Sequence, residues 1–440
     1  MHKLNETHDP GLTSWVNSAN TPDTDFPIQN LPFGAFRRSG STGPHRCGVA
    51  IGSQILDLRE LSDRRLVKGS AADALEACTD ANLNRFMGLG RAACSALRAA
   101  LSQLLRADSA DAAQLKEILV PQADVEYGVP ADVRGYTHFY ASIHHALTLG
   151  SFLRPGNPLL PNYRWVPIAH HGRASSIGVS KQRFARPVGQ VLPHGASRPE
   201  LLPTRLLDFQ LEIGMFIGAG NPKGSRIAID DAETHIFGLC LLNGWAARDL
   251  QAWEHQPLGP FLARNFAATV SPWIVTLEAL APFRVPWFRP NDDPQPLDYL
   301  SSSALRQTGS VDIQLEAYVV SERMRDRNMA PQRLCRTNFR HSYWSLAQMV
   351  AHHTVNGCHL RTGDLLASGT QSGPFPEEAG SMLELTDRGL KPIGLPSGES
   401  RTFLEDGDEV ILRGWCEANG HRRIGLGEAT GSVLTPGAVP

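Results

Sequence analysis

A mainly β fold with some α-helix, divided into two domains, is what the sequence predicts, and three observations carry that expectation. The chain has 440 residues, more than one hydrophobic core ordinarily serves. Residues 207–215 (LDFQLEIGM) and 311–319 (VDIQLEAYV) alternate apolar and polar side chains with a period of two, which places one set on each face of a strand. The chain past residue 130 is broken by Gly and Pro into short strand-like runs, without the regular strand–helix alternation of a doubly wound parallel sheet.

Taken in order, residues 1–25 are polar and aperiodic and are expected to form a flexible leader. Two apolar runs flank Gly52-Ser53, the pattern of a tight hairpin. Leu97, Leu101, Leu104 and Leu105 recur at helical spacing over about 91–106. These elements are assigned to a first domain, 26–130, and the remainder to a second, 131–440. In the 207–215 strand, Leu207, Phe209, Leu211, Ile213 and Met215 share one face, and Asp208, Gln210 and Glu212 share the other, which is expected to meet solvent. A helix is expected from Ser342, with Leu346, Met349, Val350 and His353 on one face, ending at Asn356-Gly357. Three pairs of adjacent histidines occur, His144-His145, His170-His171 and His352-His353; adjacent residues on a strand point to opposite faces, so each pair offers at most one inward ligand or base.

Forty-two basic residues against 44 acidic ones give a net charge of -2, which excludes a broad basic surface for nucleic acid and leaves a small molecule as the expected partner. No apolar run approaches the roughly 20 residues that span a bilayer, and no signal-type segment is seen. The seven cysteines form no CxxC pair, so reduced thiols and a cytoplasmic location are expected. Nucleotide-binding, HExxH and GxSxG motifs are all missing.

Longer segments say more. FPIQNLPFGAF (26–36), VAIGSQILDL (49–58), GYTHFYASIHHA (135–146), HHGRASSIGVS (170–180) and LLDFQLEIGMFIG (206–218) are followed by LNGWAARDLQAWEHQPLGPFLARNF (242–266), VNGCHLRTGDLLASGTQSGP (355–374) and SMLEL (381–385). Over nearly its whole length the chain resembles the fumarylacetoacetate hydrolase (fumarylacetoacetase) family. The resemblance implies an N-terminal SH3-like β-barrel, a C-terminal mixed β-sandwich roll and a homodimer. It also implies hydrolysis of a carbon–carbon bond in a 1,3-diketo acid, with Mg²⁺ or Ca²⁺ as Lewis acid and a Glu-held His as general base. The base falls on His145 and its partner on Glu384, and Tyr140, Arg154, Arg248, Gln251 and Thr370 match substrate-contacting positions.

The metal ligands fare differently. Three of the four carboxylates the family would supply are replaced, by His138, Gln210 and Gly244, and Glu212 alone remains. Hard divalent ions require anionic oxygen donors, so a metal at Glu212, His138 and Gln210 is expected to be absent or weakly bound. The family's lysine is Arg264, and histidines replace tyrosines at His170 and His255. The chain holds 36 Arg and 6 Lys, so Arg264 alone could reflect composition, whereas the histidines and lost carboxylates could not. His170 and His255 are read as candidate acids and Arg264 as a fixed charge, since guanidinium stays protonated. The function expected is a diverged family enzyme acting on an enolisable 1,3-dicarbonyl in a specialised biosynthetic pathway, by cleavage, decarboxylation, dehydration or cyclisation. The alternatives are a fumarylacetoacetase or acylpyruvate hydrolase with a re-ligated metal such as Zn²⁺ or Fe²⁺, and a non-catalytic dimer.

Overall fold

The computed structural model describes residues 3–438. A sheet of 13 strands among these residues runs through most of the molecule. Its main path starts at Leu119–Pro121 and passes through Gln54–Asp57, Arg46–Ile51, Phe33–Arg38 and Trp273–Thr276. It continues through Ile236–Asn243, Leu211–Ile217, Leu365–Ala367, Tyr136–Phe139 and Ala169–His171. A second sheet of five strands orders Gln332–Asn338, Gln314–Val320, Glu409–Cys416, Ile424–Leu434 and Gln182–Ala185. The architecture is sheet-rich, as expected, and no helix among the described residues is long and apolar enough to cross a membrane.

The hairpin at Gly52-Ser53 and the helix Arg91–Leu105 form where the sequence places them. The N-terminal strands continue directly into the C-terminal sheet, because Phe33–Arg38 pairs with Trp273–Thr276, Gly34 lying opposite Trp273. A side chain at position 34 would come within 2.7 Å of the Trp273 ring, so glycine is what lets the two strands close.

The 207–215 segment departs from the expected single strand. Leu207–Asp208 pairs with Ala246–Ala247, the ladder breaks at 209–210, and Leu211–Ile217 joins the large sheet. The apolar face is as expected: Leu207, Phe209, Leu211, Ile213 and Met215 lie in one core. The polar face is not solvent, since Asp208, Gln210 and Glu212 are buried. A second apolar core, with Phe216, Cys240 and Leu242, covers the other side of the sheet, so carboxylates on that face must find partners inside the protein.

The expected flexible leader is instead packed over its described residues. Asn5 caps the turn Glu6–His8, the Ser14 hydroxyl donates to Leu105 O at 2.6 Å, and Trp15 Nε1 donates to Leu104 O at 3.0 Å. Polar composition concealed this, because the segment is held by hydrogen bonds to buried groups rather than by an apolar stripe. The central group is Arg98, 2% exposed, which donates to Thr7 Oγ1 at 3.1 Å, to Asn30 O at 2.6 Å and to Gln29 O. Arg98→Met should cost about 3 kcal/mol, because three acceptors lose a buried charged donor. Denaturant melts would measure that loss, and faster proteolytic nicking before residue 26 should accompany it.

Candidate active site

Strands Tyr136–Phe139, Ala169–His171 and Leu211–Ile217 and helices Ile143–Leu153, Arg248–Glu254, Leu262–Asn265 and Met382–Leu385 build the site. Ala367 lies opposite His138 in a parallel pair, and His138 lies opposite His170 in the next antiparallel pair. Directly opposed residues project from the same face of a sheet, so the two imidazoles stack, 3° from parallel with centroids 5.1 Å apart. Glu212, at the start of Leu211–Ile217, accepts from Gly369 N–H at 3.1 Å. His138 Nδ1 lies 3.4 Å from Glu212 Oε2, and Arg264 Nη2 lies 3.6 Å from Glu212 Oε1 and 3.4 Å from His138 Nδ1.

His145 sits on the helix Ile143–Leu153, and His352-His353 lie on the helix expected there; the strand argument applies to His170-His171 alone. Ser142 caps the helix by accepting from His145 N–H at 3.3 Å, and its hydroxyl donates to Ser372 O at 2.9 Å. His145 Nδ1 then meets Glu384 Oε2 at 2.8 Å, both side chains 2% exposed. The hydroxyls of Ser381, at 2.6 Å, and Ser372, at 2.9 Å, donate to the same carboxylate. Burial alone would raise the Glu384 carboxyl, but His145 and the two serines overcome it and hold it below the usual carboxylate range.

Arg248 Nε donates to buried Asp208 at 2.8 Å, and Arg248 Nη1 donates to Gln251 Oε1 at 3.3 Å. Asp208 also accepts from Met382 N–H at 2.6 Å and Leu383 N–H at 3.3 Å, which joins the arginine to the short helix that carries Glu384. The Tyr140 ring packs edge-on to His145, 5.4 Å between centroids.

The expected residues His138, Tyr140, His145, His170, Gln210, Glu212, Arg248, Gln251, Arg264, Thr370 and Glu384 thus share one contiguous frame. Arg154 is exposed and donates to Pro158 O, and half-buried His255 joins the frame only through the backbone oxygen of Gln251. His170 is not the acid expected: burial, helped by His138 and Arg264, pushes it down to about 2, which leaves a neutral imidazole. Burial likewise lowers His138, with Glu212 opposing. Asp208, Ser142, Ser372 and Ser381 were missed. Asp208 carried a signal, its place on the polar face of the alternating strand; the serines carried none beyond nearness in sequence to His145, Thr370 and Glu384.

Seven buried polar atoms of this frame have no hydrogen-bond partner: Arg248 Nη2, Arg264 Nε, Gln210 Oε1, Thr370 Oγ1, His170 Nε2, His145 Nδ1 and Glu212 Oε1, the last two meeting Glu384 and Arg264 as close ionic contacts. Such groups are costly unless a ligand satisfies them. Among the described residues, no group of three or more His, Cys, Asp or Glu could hold a metal ion.

Comparison with known proteins now gives the family. The fumarylacetoacetase N-terminal model matches residues 29–130 and the fumarylacetoacetate hydrolase C-terminal model matches residues 136–433. The chain belongs to the fumarylacetoacetate hydrolase family. It is 46% identical over 430 residues to fumarylacetoacetase of Oryza sativa subsp. japonica, covering 96% of this chain and 97% of the relative. It is 47% identical over 418 residues to the Mus musculus fumarylacetoacetase, with 94% and 97% covered. Among solved structures, a putative HpcE protein from Mycobacterium smegmatis shares the fold at TM-score 0.52 and 18% identity, covering 91% of this chain and 99% of that one. The chain is accordingly a carbon–carbon bond hydrolase of this family, and the shifted reaction classes and the non-catalytic dimer receive no support.

Glu384→Gln should be less stable than the parent protein at neutral pH, and the gap should close on acidification. A lowered folded value means the carboxylate's contribution is present above the unfolded value, about 4.3, and is lost as pH falls through the folded one. Urea melts of both proteins from neutral to acid pH would show the convergence, and a constant gap would refute it.

Proposed function

We propose that the chain hydrolyses the carbon–carbon bond between the two carbonyls of a 1,3-diketo acid of the fumarylacetoacetate type, with His145 as general base. The observation that carries this reading is the His145–Glu384 pair at 2.8 Å. The identity to curated fumarylacetoacetases supports the substrate class.

With Glu384 Oε2 2.8 Å from Nδ1, the ring's proton belongs on Nδ1, which leaves the Nε2 lone pair of His145 to take a proton from water. The hydroxide adds to one carbonyl carbon. As the tetrahedral adduct collapses, the bond to the central carbon breaks and its electron pair becomes the enolate of the other fragment. The proton held by His145 then passes to that carbon. One water is consumed, and a carboxylic acid and a ketone leave. Arg248, fixed by Asp208 and carrying a free Nη2, is the group for the substrate's carboxylate. Thr370, Gln251 and Tyr140 complete the contact set.

The donors about Glu212 fit a hard divalent ion poorly: one carboxylate, a buried neutral imidazole at His138 and the amide of Gln210. No step above depends on such an ion. Every residue in this scheme lies in 131–440, so the division at 130 separates a buttress from the catalytic domain. A homodimer belongs to the same reading, since Trp253, Leu258, Phe261 and Leu262 form an exposed apolar run beside Arg264.

His145→Ala should lower kcat on an acylpyruvate by about 10²–10⁴-fold while KM changes little. Loss of the enol absorbance follows the rate, and ¹⁸O from labelled water should enter the new carboxylate. Unaltered turnover in the variant, or label-free product, would sink the reading. Asp208→Asn should instead raise KM more than it lowers kcat, because it loosens Arg248 without touching the base; steady-state kinetics on the same substrate separate the two.

A further inference from the structure

We infer that Arg264 is the protein's own cation at this site: its guanidinium neutralises Glu212 at rest and receives the two oxygens of the enolised dicarbonyl during turnover, where a divalent ion would otherwise be needed. The inference rests on the hydrolase reading above and adds what stabilises the departing enolate.

Four observations support it. Glu212 is fully buried, and the cationic group beside it is Arg264, Nη2 to Oε1 at 3.6 Å. A buried carboxylate requires such a counter-charge. Glu212 and Arg264 carry opposite formal charges that balance to zero, and a dication would add charge that no second carboxylate beside them offsets among the described residues. Glycine at position 244 supplies no ligand of its own. A Cβ there would lie 2.3 Å from Glu212 Oε1 and 3.0 Å from His138 Cε1, so the Glu212 carboxylate occupies the space that a longer residue at 244 would claim. Finally, Arg264 Nε is buried without a hydrogen-bond partner, so a donor of the fork is free.

The chemistry suits the group. An enolised 1,3-dicarbonyl spreads one negative charge over two oxygens, a vinylogous carboxylate, and planar paired N–H donors match that geometry as they match a carboxylate. When the carbon–carbon bond breaks, the electron pair moves onto the enolate oxygen beside the guanidinium. No proton leaves Arg264, which acts as a fixed charge throughout.

The test uses the whole protein. After EDTA treatment the parent should hydrolyse an acylpyruvate at an unchanged rate, and isothermal titration with MgCl₂ or CaCl₂ should give no stoichiometric heat at millimolar concentration. Arg264→Ala should lose about 10²-fold or more in kcat. Millimolar guanidinium chloride should restore activity and Mg²⁺ should not. In a His145→Ala background, which cannot turn over, a 1,3-diketo acid should show an enolate-shifted absorbance that disappears when Arg264→Ala is added and is weakened by Arg264→Lys. EDTA-abolished activity, tight Mg²⁺ binding by the parent, or rescue by Mg²⁺ rather than guanidinium would each overturn the inference. The metal titration and EDTA arms need no variant and so stand even if Arg264→Ala does not fold. A parent that turns over no diketo acid under any condition, yet still shows the Arg264-dependent spectral shift, would instead defeat the hydrolase reading and leave the cation assignment standing.

Discussion

Glu212 lies in a sheet with an apolar core on each side, and a carboxylate there has no access to water to spread its charge. It must be met by a cation of the protein or of the medium, and whichever cation serves becomes the electrophilic centre of the site. Here the side chains that close on it are Arg264 and His138. The stacking of His170 on His138, the space left by glycine at 244 and the amide donated by Gly369 all lie around that one buried charge.

The rest of the site is tied to it by short stretches of backbone. Residues 369–372 begin at the amide that holds Glu212 and end at the hydroxyl that holds Glu384, so a single loop spaces the two carboxylates. Asp208, just before the Leu211–Ile217 strand is established, grips both Arg248 and the amides of 382 and 383. Ser142 closes the frame by capping the His145 helix while bonding to Ser372. His145, Glu384 and Arg248, from distant stretches of the chain, are therefore fixed by the side chains of Ser142, Ser372, Ser381 and Asp208.

Much of this is legible in the sequence. The face shared by Leu207, Phe209, Leu211, Ile213 and Met215, the Gly52-Ser53 turn and the 91–106 helix are local patterns, and local patterns survive folding. What misled was burial. The partner face of the 207–215 segment looks solvated because Asp, Gln and Glu alternate there, yet nothing within nine residues reveals that a second core will cover it. The packed leader was hidden for the same reason: its anchor, Arg98, lies about ninety residues away and resembles any polar residue on an amphipathic helix. Family motifs point to His145, Glu384 and Arg248 one by one, and the structure sets His145 against Glu384 and Arg248 against Asp208. They did not recover the serines, whose role is visible only as hydrogen bonds.

Three buried carboxylates in one frame meet three kinds of partner, and that division assigns the chemistry. Asp208 faces Arg248 and two amides, a set that cannot take up a proton, so it can only hold geometry. Glu212 faces Arg264, a charge that does not titrate, so it sets a fixed field. Glu384 alone faces an imidazole placed to pick up a proton, and the two serine hydroxyls keep the carboxylate ionised while it does so. Burial has neutralised the other histidines of the frame, which removes competing proton carriers from the vicinity of the base. Proton transfer and charge stabilisation thus fall to separate residues, and a change in the group that supplies the positive field leaves the His145–Glu384 base chemistry in place.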